Sequence, residues 1–329
     1  MKQLTFLCLG MVLLAACGKD DVIICDPALA ASGAFSNFRT AAPAVQRFTV
    51  NLDQAQSFRT RAGATVAFGP RAFVLPNGNL ATGQAELRVR EIYSVPDMVL
   101  ADMPTTAQSS RQMLVSGGEF NIQVWQSSAR LRMSPFSPTG AINRLSLTSP
   151  VPTAGLDTTR MYLWQQPSGS LAGTPGDSLG WQQFFFTGAI PTTRQPVQVP
   201  ATAGNYSVAF PLDSIGNWNI DQFWHAYQSS PYGNVGIEVP TTVGATTTRV
   251  YFRPVGFNGL ARCYASSSST TRWDSRLPFG ADVIAVVLQE RNGQLYFGTE
   301  RLTAQAGAVA TPTMQALSAA DIVQRIRQL

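Results

Sequence analysis

The chain has almost no lysine, a single histidine and little charge of either sign. Of its 24 basic residues only Lys2 and Lys19 are lysines, and the other 22 are arginines. With no lysine beyond residue 19, Schiff-base chemistry is excluded, because it needs an amine held in a pocket of a folded domain. His225 stands alone, so the paired histidines of a zincin helix are missing. No glycine-rich phosphate loop closed by a lysine occurs. Charged residues make up 13% of the chain, and the arginines lie singly, as at Arg88 and Arg90. Without a basic run, a net charge of +5 does not mark a nucleic-acid surface, and no nucleic-acid partner is expected. Long apolar runs are lacking too. The apolar segment 4–16 falls short of the roughly 20 residues a membrane-spanning helix needs.

What that segment does fit is a secretory signal: a charge at Lys2, a short apolar core and small residues before a cut. Leu14-Ala15-Ala16 runs directly into Cys17 and Gly18. Small side chains let a peptidase grip the extended backbone, and only a thiol accepts the diacylglyceryl group. Residues 1–16 are therefore expected to leave as a lipoprotein signal peptide, with Cys17 lipidated. The lipid is then the expected membrane contact, each buried methylene adding about 0.8 kcal/mol. Lys19-Asp20-Asp21 resembles the lysine-plus-acidic export signal that follows the lipidated cysteine in surface lipoproteins of the Bacteroidota. It implies an outer-membrane protein facing the cell exterior, although a solvated tether favours the same charges.

Four cysteines are present, and Cys8 leaves with the signal. Cys25 and Cys263 remain in an oxidising compartment, where a pair persists as a disulfide. The alternative is two unrelated thiols, since sequence alone does not bring two sulfurs within bonding range.

Beyond the tether, alternation of period two dominates. Ala85, Leu87 and Val89 oppose Glu86, Arg88 and Arg90, and Phe120, Ile122 and Val124 repeat the pattern, as do Tyr206, Val208 and Phe210. Such alternation predicts half-buried strands. Residues 283–288 form a continuous apolar run, expected as a buried central strand, and Asn292-Gly293 supplies the turn of a hairpin. Asn77-Gly78 marks another turn, and 27 glycines and 21 prolines cut the chain into short strands. One segment reads clearly as a helix: Ser318 caps it, Asp321 completes the capping spacing, and Ile322, Val323 and Ile326 form its apolar stripe. The expected fold is all-β, with two or more β-sandwich-like domains and a short C-terminal helix. The expected divisions are the signal at 1–16, a tether at 17–45, an N-terminal β domain at 46–152, a middle β region at 153–235 and a C-terminal sandwich at 236–329.

Two stretches carry a resemblance. The first runs from Gly63-Ala64-Thr65-Val66 through Phe68-Gly69-Pro70, Glu91-Ile92-Tyr93, Asp97-Met98 and Pro104-Thr105-Thr106 to Ser116-Gly117-Gly118-Glu119-Phe120. The second is Ile215-Gly216-Asn217-Trp218-Asn219-Ile220-Asp221-Gln222-Phe223. Together they resemble a family of uncharacterised Bacteroidota envelope lipoproteins. The first stretch is also similar to the ZU-type β domain of ankyrins and netrin receptors. In the second, that family tends to carry Gly-Trp-Ile-Asn-Cys-Asp-Arg-Phe, whereas here Asn217 is inserted, Ile220 stands for Cys and Gln222 for Arg. The resemblance implies an exported β-sandwich protein and no particular activity.

Candidate chemistry is sparse. Asp213 with Asp221, and Asp97 with Asp102, are pairs that two-carboxylate hydrolysis or calcium binding would need, but turn-forming aspartates have the same appearance. No metal-ligand spacing, cofactor motif or catalytic residue is identified. Trp218, Trp224, Tyr227 and Tyr232 cluster beside turn residues and form the expected recognition patch, unless Trp218 and Phe223 are core plugs. The expected role is a lipid-anchored envelope protein acting as a binding or structural module, not an enzyme. Its expected partner is an envelope protein or a glycan.

Overall fold

The computed structural model describes residues 35–134, 145–151, 157–166, 180–187, 194–209, 216–224, 230–239, 247–266 and 271–329. Cys17, Lys19, Asp20, Asp21, Cys25, Asp213, His225 and Tyr227 lie outside them.

The architecture is all-β. Strands form two sandwiches, and a third apolar cluster lies between them. The larger sheet of the first sandwich runs in the order Gln46–Asn51, Gln84–Ile92, Leu114–Gln126, Gly216–Phe223, Tyr162–Gln165 and Gln182–Gln183. Its facing sheet runs Asn205–Ala209, Ser146–Pro150, Thr65–Phe68 and Gln56–Arg59. The alternation read from the sequence places Leu87, Val89, Phe120, Ile122 and Val124 between them, against Val66, Leu147, Tyr206 and Val208. The second sandwich pairs a sheet built on Tyr232–Glu238 and Arg272–Pro278 with one built on Thr248–Pro254, Asp282–Arg291 and Gln294–Thr303. The apolar run 283–288 is central there, and Asn292 (φ 50°) with Gly293 (φ 79°) closes the hairpin in the left-handed conformations such a turn demands.

Three differences from the sequence reading stand out. The middle region is not a layer of its own. Gly216–Phe223 and Tyr162–Gln165 enter the first large sheet, and Asn205–Ala209 forms the edge of its partner. Without them the Leu114–Gln126 strand would present a long unpaired edge, which folded proteins avoid. The last sandwich begins earlier than residue 236, with the strand Tyr232–Glu238. The tether also ends in structure: helix α1 (Ser36–Ala41) is flanked by Phe35 and Ala42, and these two pack with Phe38 into the intermediate cluster.

A second helix, α2 (Val95–Ala101), was not read from the sequence. Ser94 caps it, accepting from the Asp97 backbone N–H, and Pro96 sits in its first turn, where a missing N–H costs nothing. The terminal helix α3 (Ala319–Ile326) has the expected Ser318 cap and drives Ile322 and Ile326 into the same cluster as α2's Met98 and Val99. Leu288 and Phe297 of the second sandwich complete this seam.

Candidate functional site

Two of the four aromatic residues singled out in the sequence are core residues. Trp218 is 2% exposed and Trp224 1% exposed, so neither offers a face to a ligand. Trp218 stands against Phe120 across the sheet and meets Phe184 edge-on at 5.5 Å; Trp224 meets Phe257 at 5.3 Å. The expected recognition patch is thereby corrected for these two residues, because Trp218 turns into the core between the sheets and Trp224, just past the strand end, packs into the core of the second sandwich. Tyr232 is half-buried at the start of its strand. Trp164, Trp181 and Trp273 are buried as well. Of the six tryptophans only Trp125 reaches solvent.

Trp125 belongs to the outer face of the first large sheet. Along Leu114–Gln126 the even-numbered residues 120, 122 and 124 fill the core, and the odd-numbered Glu119, Asn121, Gln123 and Trp125 point away from it. A chain of side-chain hydrogen bonds crosses this face. The Trp125 indole N–H donates to Gln123 Oε1 at 2.8 Å, and Gln123 Nε2 donates to Asn121 Oδ1 at 3.1 Å. Asn121 Nδ2 donates to Asn217 Oδ1 on the neighbouring strand, and Asn217 Nδ2 donates to Gln166 Oε1 at 2.6 Å. The Arg88 guanidinium lies 4.8 Å from the Trp125 ring centre and bonds Glu86, which also pairs with Arg47. Trp125, Arg88, Glu86, Thr49 and Gln84 line an open groove of about 320 Å³. Planar amides offer a donor and an acceptor side by side, and an indole beside a guanidinium supplies a flat stacking surface.

The other end of the same face is closed. Ile92 and Tyr162, the cross-strand neighbours of Glu119 and Asp221, pack into the seam between the sandwiches. Here the two stretches that carried the family resemblance become adjacent strands. Asn219 pairs with Glu119 and Asp221 with Ser116, so Gly117 and Gly118 together oppose Ile220 alone, a β-bulge. Glycine is required at both positions. A Cβ on Gly117 would lie 2.7 Å from Met161 Cε and 2.8 Å from Tyr206 Cε2, and one on Gly118 (φ 141°) would lie 2.8 Å from Tyr93 Cε1. Ser116 Oγ accepts from the Gly118 N–H at 3.0 Å and donates to Asn219 Oδ1 at 2.9 Å; Asn219 Nδ2 donates to Asp221 Oδ2.

Glu119 and Asp221 are fully buried in this bulge. Neither Glu119 oxygen has a hydrogen-bond partner, and neither does Asp221 Oδ1 or the Tyr206 hydroxyl. Burial pushes both carboxyls well above the usual range; the Asp221 charge adds to the rise at Glu119, and the Ser116 hydroxyl partly opposes it at Asp221. The Tyr206 hydroxyl is pushed up to about 12, by burial first and the nearby Asp221 second. A saccharide cannot reach acids sealed in this way, so this pair does not supply the open two-carboxylate cleft of a glycosidase.

The remaining sequence candidates are structural in their contacts. Asp97 accepts from Ser94 at the start of α2 and pairs with Arg327. Asp102 ends α2 in the left-handed conformation and holds Arg249, Arg262 and Tyr251. Cys263 is a buried thiol whose pKa is raised, chiefly by burial; its candidate partner Cys25 is outside the described residues. Among the described residues no three His, Cys, Asp or Glu side chains converge as metal ligands, and no helix is long and apolar enough to cross a membrane.

No protein-family model matches the chain, and no curated protein matches it.

Proposed function

We propose that the chain is a lipid-anchored outer-membrane protein, displayed outward, that binds a glycan on the open sheet face around Trp125. The observation that carries the binding reading is this face itself. Five of six tryptophans are buried, and the half-buried one, Trp125, sits at the end of a hydrogen-bonded amide row beside Arg88 and a groove. Sugars present hydroxyls to amides and apolar ring faces to indoles, which is the chemistry arrayed here. The anchor rests on Leu14-Ala15-Ala16-Cys17, and outward display on Lys19-Asp20-Asp21.

The test is retention of the full chain, purified in mild detergent, on a panel of immobilised polysaccharides. Trp125→Ala and Arg88→Ala should each weaken retention about tenfold, the scale of one lost stacking contact. Arg301→Ala, on the other sandwich, should leave retention unchanged. A wild-type chain retained by no polysaccharide, or a Trp125→Ala chain retained equally well, overturns the glycan reading. Display is tested by protease treatment of intact cells. Digestion of the wild type but not of a Lys19→Ala, Asp20→Ala, Asp21→Ala chain supports it, and protection of both refutes it.

A further inference from the structure

The open end of the Trp125 face sets like charges against each other. Phe48, Val50, Leu87 and Val89 turn toward the core, so Arg47, Thr49, Glu86, Arg88 and Arg90 turn outward, in one surface with Gln123 and Trp125. Arg47 stands directly opposite Arg88 across the strand pair Gln46–Asn51 and Gln84–Ile92, and Arg90 is the next outward residue on the second of these strands. Like charges placed opposite one another destabilise a sheet. Among the described residues, Glu86 is the only acid that these strands turn to the open end of the face. It meets both arginines through one atom: Oε1 accepts from Arg47 Nη1 at 2.6 Å and from Arg88 Nε. A guanidinium carries several N–H donors, and each of these two gives only one to Glu86. Neither has a further acceptor among the described residues. Glu86 thus cancels one of the two positive charges and gathers two guanidiniums at one point, Arg88 lying 4.8 Å from the centre of the Trp125 ring.

We propose that the glycan taken by this face is acidic, with a carboxylate or sulfate group of the sugar held by Arg47 and Arg88 beside Trp125. The inference rests on the glycan reading and narrows it to one charge class. Both anionic groups offer paired oxygens to the paired N–H edges of a guanidinium, and the planar fork of arginine binds them with more geometric selectivity than an ammonium does. A neutral sugar is served by the amides of Gln123, Asn121 and Asn217 alone and leaves the opposed arginines as they are. An anion between Arg47 and Arg88 offsets the repulsion that the strand register builds in. The Arg47 side chain is 55% exposed, so water and salt screen its contact, which changes affinity by a few-fold and no more.

The experiment adds two matched pairs to the polysaccharide panel: polygalacturonate with its methyl ester, and dextran sulfate with dextran. Each pair keeps its sugar backbone and changes the charge, the first reporting a carboxylate and the second a sulfate. The full chain in mild detergent should be retained by the acidic member of at least one pair about tenfold more strongly than by the neutral member. Arg47→Gln should weaken retention on that acidic member about three- to fivefold and leave retention on its neutral partner unchanged. Arg276→Gln removes the same charge from an exposed position on the other sandwich and should leave both unchanged. Equal retention of acidic and neutral members overturns the inference and leaves the glycan reading standing. Retention by none of the four, with retention by another, neutral polysaccharide of the panel, does the same. Equal losses in Arg47→Gln and Arg276→Gln would mean adsorption by net charge rather than binding at this face, and also overturn it. A chain retained by no polysaccharide at all overturns both readings together.

Discussion

Replacing Asp102 by alanine should destabilise the protein more than any other single change on its surface or at its seam. Asp102 ends α2 with φ 54°, and its carboxylate reaches from the first half of the chain into the second sandwich. Oδ2 accepts from Arg249 Nε at 2.7 Å, and Oδ1 accepts from the Tyr251 hydroxyl at 2.6 Å and from Arg262 at 3.3 Å. The three charged side chains are only 10–11% exposed. Asp102→Ala strands two guanidiniums with little water to replace the carboxylate, a loss of about 3–5 kcal/mol. Alanine in the left-handed conformation adds about 1 kcal/mol. The expected total is about 4–6 kcal/mol, read by urea unfolding followed through tryptophan fluorescence. Asp102→Asn tolerates the conformation and still accepts from Tyr251, so it should lose less than alanine does. A loss below about 1 kcal/mol for Asp102→Ala would refute the view that this cluster ties the sandwiches together.

The same group sets a pH dependence. Burial pushes the Asp102 carboxyl up, but Arg249, Arg262 and the Tyr251 hydroxyl pull it down further, to a net value below the ordinary one. A carboxyl with a depressed folded pKa stabilises the fold fully above its unfolded value, about 3.9, and loses that contribution as pH falls through the folded value. The stability gap between wild type and Asp102→Asn should therefore be flat from about pH 7 to 5 and shrink below about pH 4.

Two further outcomes test the packing. Gly117→Ala forces a methyl against Tyr206 and Met161, and should cost about 1–3 kcal/mol in the same unfolding assay; a neutral result would mean that the ring and the thioether yield freely. Cys263, 1% exposed and held protonated by burial, should resist thiol reagents in the native chain and react in urea. Fast native labelling would contradict its burial, and labelling in urea only after reduction would reveal a bridge to Cys25.

Local signals made much of the fold legible. Alternation located the strands around Leu87, Ile122 and Val208, Asn292-Gly293 fixed a hairpin, and Ser318 with Asp321 marked α3. The order of strands within the sheets was not local. That Gly216–Phe223 pairs with Leu114–Gln126 depends on which edge needs covering, and nothing in either segment states it. Helix α2 carried its own signal in Ser94, Pro96 and Asp97, but its apolar residues Val95, Met98 and Val99 cover too few turns to show a helical period. The acid pair was half visible. Asp221 drew attention beside Asp213, yet the acid its charge acts on is Glu119, about a hundred residues earlier, which pairs with Asn219 two positions before it.

Strand parity separates the two candidate recognition surfaces, and it does so from sequence once it is applied strictly. In Leu114–Gln126 the core set is Phe120, Ile122 and Val124, so Trp125 falls on the opposite face, in a row with Gln123 and Asn121. A half-buried tryptophan among amides on the polar face of a strand is the feature on which the proposed glycan reading rests. In Gly216–Phe223 the core set is Trp218 and Ile220, and Asn217, Asn219 and Asp221 face the other way. Nearness to turns pointed to Trp218, whereas parity points to Trp125. Parity fails only at the covered end of the face. There Glu119 and Asp221 have the outward parity of a solvated residue but lie beneath the seam between the sandwiches. Two acids on an outward parity cost nothing until tertiary packing covers them. Their burial without a guanidinium follows from the register that brings the two strands together, and burial holds both carboxyls well above their ordinary range, toward the neutral form.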